Sequence, residues 1–204
     1  MEEKCILQSQ EYELEGLLDK NSPSQAVIIT HPHSLYGGSM RNPVVEAIRT
    51  AYTNNGLTTL RFNFRGVGNS QGNFDNGHGE QEDVRAAITY LIELGIKAVY
   101  LAGYSFGAWV NASLSINDGT PVREMIMVAP PVGFIDFGSI KAINCLKLVI
   151  TGSQDDIASA DLIREVLPSW NPDARFEIID GCDHFYDGYL TKLESILSSF
   201  LQKK

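Results

Sequence analysis

Val99-Tyr100-Leu101-Ala102-Gly103-Tyr104-Ser105-Phe106-Gly107-Ala108 decides the fold. Its first four residues are an apolar run too short for a helix, and Ala108 and Ala112 then open a segment with helical spacing. The chain therefore reads strand, tight turn, helix, with a serine between two glycines at the corner. Such a turn forces strained backbone angles on the serine, and the flanking glycines let strand and helix approach without clashing. It also aims the helix N-terminus, with its orphan N–H groups, at whatever sits on the serine. Gly-x-Ser-x-Gly alone is a weak signal, since a serine that merely caps the helix leaves the same letters. The surrounding rhythm has to carry the reading.

Outward from that corner, short apolar runs alternate with amphipathic ones. Ala26–Thr30, Leu57–Phe64, Ala98–Ala102, Met125–Val128, Leu146–Thr151 and Phe176–Ile179 read as strands. Pro43–Asn54, Glu80–Leu94, about Phe106–Ser115, Leu162–Leu167 and Leu190–Leu201 read as helices. Apolar strands without period-two alternation are buried on both faces, as in a parallel sheet covered by helices. The order predicts an α/β, doubly wound sheet over residues 1–204 as a single domain. Cys5–Leu18 alternates instead and predicts an antiparallel hairpin at one edge. In such sheets ligands bind beyond the carboxyl ends of the strands, so post-strand loops are where chemistry is sought.

Two later loops answer Ser105. Thr151-Gly152-Ser153-Gln154-Asp155-Asp156 supplies an acid able to orient a histidine and stabilise its imidazolium. Asp155 and Asp156 both qualify, either could instead cap a following helix, and Asp136 is a lesser candidate. Gly181-Cys182-Asp183-His184-Phe185, the last post-strand loop, supplies the histidine. Nucleophile, acid and histidine in that chain order are what this architecture uses for acyl transfer. The oxyanion then formed needs two N–H donors. Phe106, following the serine, offers one. His31-Pro32-His33-Ser34-Leu35-Tyr36-Gly37-Gly38 should offer the other, from His33, because Pro32 has no N–H. His31-x-His33 as a metal pair lacks a third ligand at suitable spacing, so no metal or other cofactor is expected. Arg65–Gly72 imitates a dinucleotide glycine loop, but its third glycine comes one residue late and no helix opens on it.

Composition narrows the partners. The 204 residues are 44% hydrophobic and 20% charged, ordinary for a globular chain, and carry a formal charge of −9. A chain so acidic, without Lys/Arg clusters, is not expected to bind nucleic acid or an anionic membrane. Acidic residues behind Met1 and the absence of a long apolar run argue against a signal peptide or a membrane span. Three cysteines, Cys5, Cys145 and Cys182, form no Cys-x-x-Cys pair and suit a reducing, cytoplasmic setting.

The motifs together resemble a known group. His31-Pro32-His33, Tyr36–Met40, Leu60–Gly72, Gly103–Gly107, Val128–Val132, Gly152–Asp156 and Asp183–Phe185 are similar to small bacterial α/β-hydrolases related to dienelactone hydrolase, over nearly the whole chain. The resemblance implies the α/β-hydrolase fold, a serine hydrolase activity, and Asp155 rather than Asp156 as the acid. Dienelactone hydrolase itself uses a cysteine where this chain has Ser105. Only about Pro130–Asn144 is available after the sixth strand, too short for a lid domain. The expected cleft is open and walled by Leu35, Tyr36, Phe106, Phe134, Phe137 and Phe185. It suits a small-molecule acyl substrate, a small or medium ester or thioester cleaved through an acyl-enzyme. A peptidase or amidase with the same residues, and a non-catalytic binding protein on this fold, are the alternatives.

Overall fold

The apolar runs form strands and the amphipathic stretches helices. In chain order they are β1 (Glu3–Ser9), β2 (Tyr12–Asp19), β3 (Gln25–Thr30), α1 (Pro43–Asn54), β4 (Thr58–Phe62), α2 (His78–Glu93), β5 (Ala98–Tyr104), α3 (Phe106–Ser113), β6 (Val122–Val128), β7 (Leu146–Gly152), α4 (Ala160–Trp170), β8 (Arg175–Ile179) and α5 (Leu190–Leu201). The structure is a computed structural model and describes residues 1–114, 122–140 and 142–202. Ser115, the expected end of the helix after Ser105, lies outside the described residues.

All eight strands share one sheet in the order β1-β2-β4-β3-β5-β6-β7-β8. β2 runs antiparallel to β1 and β4, and every other pair is parallel. This is the α/β-hydrolase fold, a mostly parallel sheet with an antiparallel N-terminal hairpin. β3 explains the missing alternation: Ala26, Val27, Ile28 and Ile29 are all fully buried because helices cover both faces. β1, at the edge, alternates exposed Ile6 and Gln8 with buried Leu7 and Ser9. α1 starts where Asn42 accepts a bond from Val44 N–H (2.9 Å) and Pro43 takes the first helical position. α4 runs past the expected end at Leu167 and through Pro168, which forfeits the N–H bond to the Arg164 carbonyl, and ends two residues later at Trp170.

The order of strands fixes where a ligand can sit. From β3 the chain steps to β4 on one side, then returns past β3 to β5 on the other. Right-handed crossovers in opposite directions put α1 on one face, with α5 packed on it, and α2 and α3 on the other. The reversal falls between β3 and β5, so a crevice opens beyond their carboxyl ends. Between β6 and β7 the described residues form turns, with no helix or strand and no lid domain.

The glycine-rich loop Arg65–Gly72 is a brace. Gln71 N–H donates to Glu13 O (2.9 Å), Glu15 N–H to Ser70 Oγ (3.1 Å), and Ser70 Oγ to Asn63 O (2.7 Å). Buried Arg65 pairs with Asp83 of α2 (2.8 Å), which also accepts from Ser9 Oγ (2.7 Å). The loop thus ties the hairpin to α2.

Candidate active site

Sheet register brings the post-strand loops to one level. Thr30 pairs with Gly103, Tyr104 with Val128, Val128 with Ile150, and Gly152 with Ile179. Ser105 stands at the corner between β5 and α3 with φ 53° and ψ −120°, a conformation that costs a non-glycine residue about 1–3 kcal/mol. Its surroundings hold it there: Ser105 N–H donates to Val128 O (2.9 Å), and Ser105 O accepts from Ala108 N–H (2.9 Å). Gly107 cannot be larger, because a Cβ there would stand 2.6 Å from Thr30 O and 2.7 Å from His31 O. The start of α3 is therefore pressed against the end of β3.

A chain of hydrogen bonds crosses three loops. Ser105 Oγ lies 2.9 Å from His184 Nε2. His184 Nδ1 lies 3.0 and 2.9 Å from the two oxygens of Asp155. Asp155 Oδ1 also accepts from Ile157 N–H (3.0 Å) and Ala158 N–H (2.6 Å). Those bonds turn the chain ahead of α4, which opens at Ala160, two residues before the expected Leu162. Ser105, His184 and Asp155 are 7%, 7% and 4% exposed, so the chain is shielded yet open at the serine. The loops after β7 and β8 meet because Gly152 has no side chain: a Cβ would lie 2.0 Å from Cys182 O, which accepts from Gln154 N–H (2.9 Å). Tyr104 OH donates to His184 O (2.7 Å) and fixes the histidine's backbone. Asp156 is exposed, and the Asp136 carboxylate accepts from Gly138 N–H (2.7 Å); neither meets His184.

Phe106 is the first residue of α3, so its N–H belongs to those a helix leaves without an internal acceptor. His33 lies beside it with ring centroids 4.8 Å apart, and its carbonyl accepts from Tyr36 and Gly38 N–H (3.0 and 3.1 Å). His31 is fully buried and both ring nitrogens are taken, Nε2 by Phe64 N–H (3.0 Å) and Nδ1 by Pro32 O (2.6 Å). Burial pushes its imidazole down to about 4. A ring so committed leaves no lone pair for a metal, and the described residues hold no cluster of metal-ligating side chains. The thiols are poor nucleophiles, since burial raises Cys145 and pushes Cys5 and Cys182 up to about 11.

The cleft over Ser105 has a volume of about 510 Å³. Tyr36, Phe106, Phe134 and Phe185 line it as expected, with His33 and His184. Two expected walls are elsewhere. Leu35 is 67% exposed and does not line the cleft, because the single 3₁₀ turn Ser34–Tyr36 directs successive side chains apart. Phe137 is buried, with its ring 5.0 Å from that of Trp170. Pro131, Ile135 and Ile157 take that wall instead. The pair Pro130-Pro131 directly after β6 was the sequence signal for a rigid wall there.

No protein-family model matches the chain. It is 33% identical over 200 residues to an uncharacterized protein of Rickettsia prowazekii, covering 92% of this chain and 84% of that one. The structure of an α/β serine hydrolase homologue from Coxiella burnetii superposes with a TM-score of 0.88 at 33% identity, covering 98% of this chain and 97% of that one. An α/β serine hydrolase without a lid from Xanthomonas campestris superposes with a TM-score of 0.89 at 30% identity, covering 99% and 94%. In fold and in sequence, this chain belongs to the α/β serine hydrolases.

Proposed function

We propose that the chain hydrolyses a small or medium uncharged acyl ester or thioester, with Ser105 as nucleophile, His184 as base and Asp155 as orienting acid. The unbroken run from Ser105 Oγ through His184 to Asp155, at 2.9 Å on either side of the imidazole, carries this reading. With its Nδ1–H held by Asp155, His184 presents a bare Nε2 to the serine proton. Ser105 Oγ attacks the acyl carbonyl, its proton passes to Nε2, and the N–H groups of Phe106 and His33 hold the oxyanion. Proton return from Nε2 expels the alcohol or thiol and leaves an acyl-enzyme. Water, deprotonated by the same nitrogen, then releases the acid and restores Ser105.

The lining supports the substrate class. Among the described residues it holds aromatic and aliphatic side chains, with Asn42, His33 and His184 beside Ser105, and no Lys, Arg, Asp or Glu. Exposed Asp136, Asp156 and Asp183 each neighbour a lining residue in the sequence. An uncharged acyl group fits such a cleft, and a polyphosphate leaving group finds no counter-charge among the described lining residues.

A panel of p-nitrophenyl esters of rising chain length tests this, alongside the N-acetylcysteamine and coenzyme A thioesters of one acyl group. Esters and the neutral thioester are expected to turn over, with kcat/KM greatest for short and medium chains and the coenzyme A thioester about tenfold or more poorer, the scale of one opposed charge contact. Preference for aminoacyl anilides over every ester would identify an amidase instead.

A further inference from the structure

The buried histidine that follows β3 has no part in proton transfer, yet its bonds bear directly on the oxyanion site. Pro32 C=O and His33 N–H belong to a single peptide unit, and that bond is trans, as no peptide bond among the described residues is cis. In a trans peptide the two groups point in opposite directions. Holding the carbonyl therefore aims the N–H.

We infer that His31 is a positioning residue, whose Nδ1–H grips Pro32 O and thereby turns His33 N–H toward the oxyanion formed on Ser105. The inference rests on the reading of Ser105 given above. Phe64 N–H, just beyond β4, donates to His31 Nε2 (3.0 Å), so Nε2 is bare and Nδ1 carries the proton. That proton is given to Pro32 O (2.6 Å). The ring packs edge-on against Phe64 (centroids 4.7 Å apart) and is fully buried, so the carbonyl is pulled inward and the opposite N–H faces the cleft that Pro32 and His33 line. Gly38 backs onto the same carbonyl: a Cβ there would lie 2.0 Å from Pro32 O, so only glycine leaves the carbonyl its place against His31. The low imidazole pKa keeps the ring neutral, and a neutral ring is the form that accepts from Phe64 while donating to Pro32.

The next turn of the loop is clamped from the same strand end. Met40 N–H donates to Asn63 Oδ1 (2.8 Å), and Met40 O accepts from Arg61 Nη1 (2.7 Å). The carboxyl end of β4 thus holds both ends of the loop that bears His33, and His31 holds the end nearest the serine.

Two amide variants separate aiming from mere packing. In His31→Asn the side-chain NH₂ reaches about as far as Nδ1 and can still donate to Pro32 O, while in His31→Gln the amide extends toward the Nε2 position. Loss of an oxyanion donor lowers kcat about 10²–10³-fold, and a misaimed donor is expected to forfeit about 10- to 100-fold in His31→Gln with KM little changed. His31→Asn should recover most of that loss at similar thermal stability, and the inhibition constant for an aliphatic trifluoromethyl ketone should rise with the fall in kcat/KM. Equal kcat in both variants, or losses that follow stability alone, would overturn the inference. Should neither variant fold, nitrogen NMR of the native protein decides: His31 must be the Nδ1–H tautomer and the His33 amide proton must move downfield on ketone binding. An Nε2–H tautomer or an unmoved amide contradicts the inference. These outcomes leave the functional reading intact, which fails separately if Ser105→Ala retains turnover.

Discussion

Ser105→Ala is expected to abolish ester turnover, with kcat lower by on the order of 10⁶-fold and only background hydrolysis from the binding cleft remaining. The loss is large because attack and proton transfer both pass through Oγ, and no other nucleophile faces His184 Nε2 at 2.9 Å. Cys182 is buried, with its thiol raised to about 11 chiefly by that burial, and so offers no thiolate as a substitute. Folding should be untouched, since alanine keeps the Cβ and the backbone bond from Ser105 N–H to Val128 O survives. Ser105→Gly separates strain from chemistry. It should be equally inactive yet about 1 kcal/mol more stable, because φ 53° costs glycine nothing. Initial rates on a p-nitrophenyl ester and a thermal melt check both statements.

Asp155→Asn is expected to lower kcat by about 10⁴-fold while leaving KM nearly unchanged. The asparagine oxygen can keep the bonds from Ile157 and Ala158 N–H, so the turn before α4 stays formed. Its NH₂ then faces His184 Nδ1 and donates to it, which moves the imidazole proton to Nε2. A protonated Nε2 cannot take the proton of Ser105, and the geometry survives with the chemistry reversed. Asp156→Asn, exposed and one residue away, should stay within twofold of the native rate. Equal losses in the two variants, measured as kcat with an ester substrate, would remove Asp155 from the mechanism.

Local patterns carried much of this into view. Helices α1 and α5 have the bounds that apolar spacing predicts, because each has one face on the core. The strands were readable because burial on both faces leaves continuous apolar runs such as Ala26–Ile29. Strand order was not, since nothing local tells β3 that it lies between β4 and β5. The site divided the same way. Ser105 and His184 were visible from their loops, whereas the choice of Asp155 over Asp156 needed resemblance, because neighbouring carboxylates differ only in which way the turn points them. Phe137 and Phe134 read alike as loop aromatics, yet one packs on Trp170 and the other lines the cleft. His31 gave no local sign of its bond to Phe64, which is 33 residues away in the chain.

The most direct test of the central claim is covalent labelling. A fluorophosphonate should modify the native protein once per chain, with the adduct located on Ser105 by peptide mass spectrometry, and labelling should vanish in Ser105→Ala and slow severely in His184→Ala. Stoichiometric labelling at any other residue, or undiminished labelling of the Ser105→Ala protein, would contradict the account.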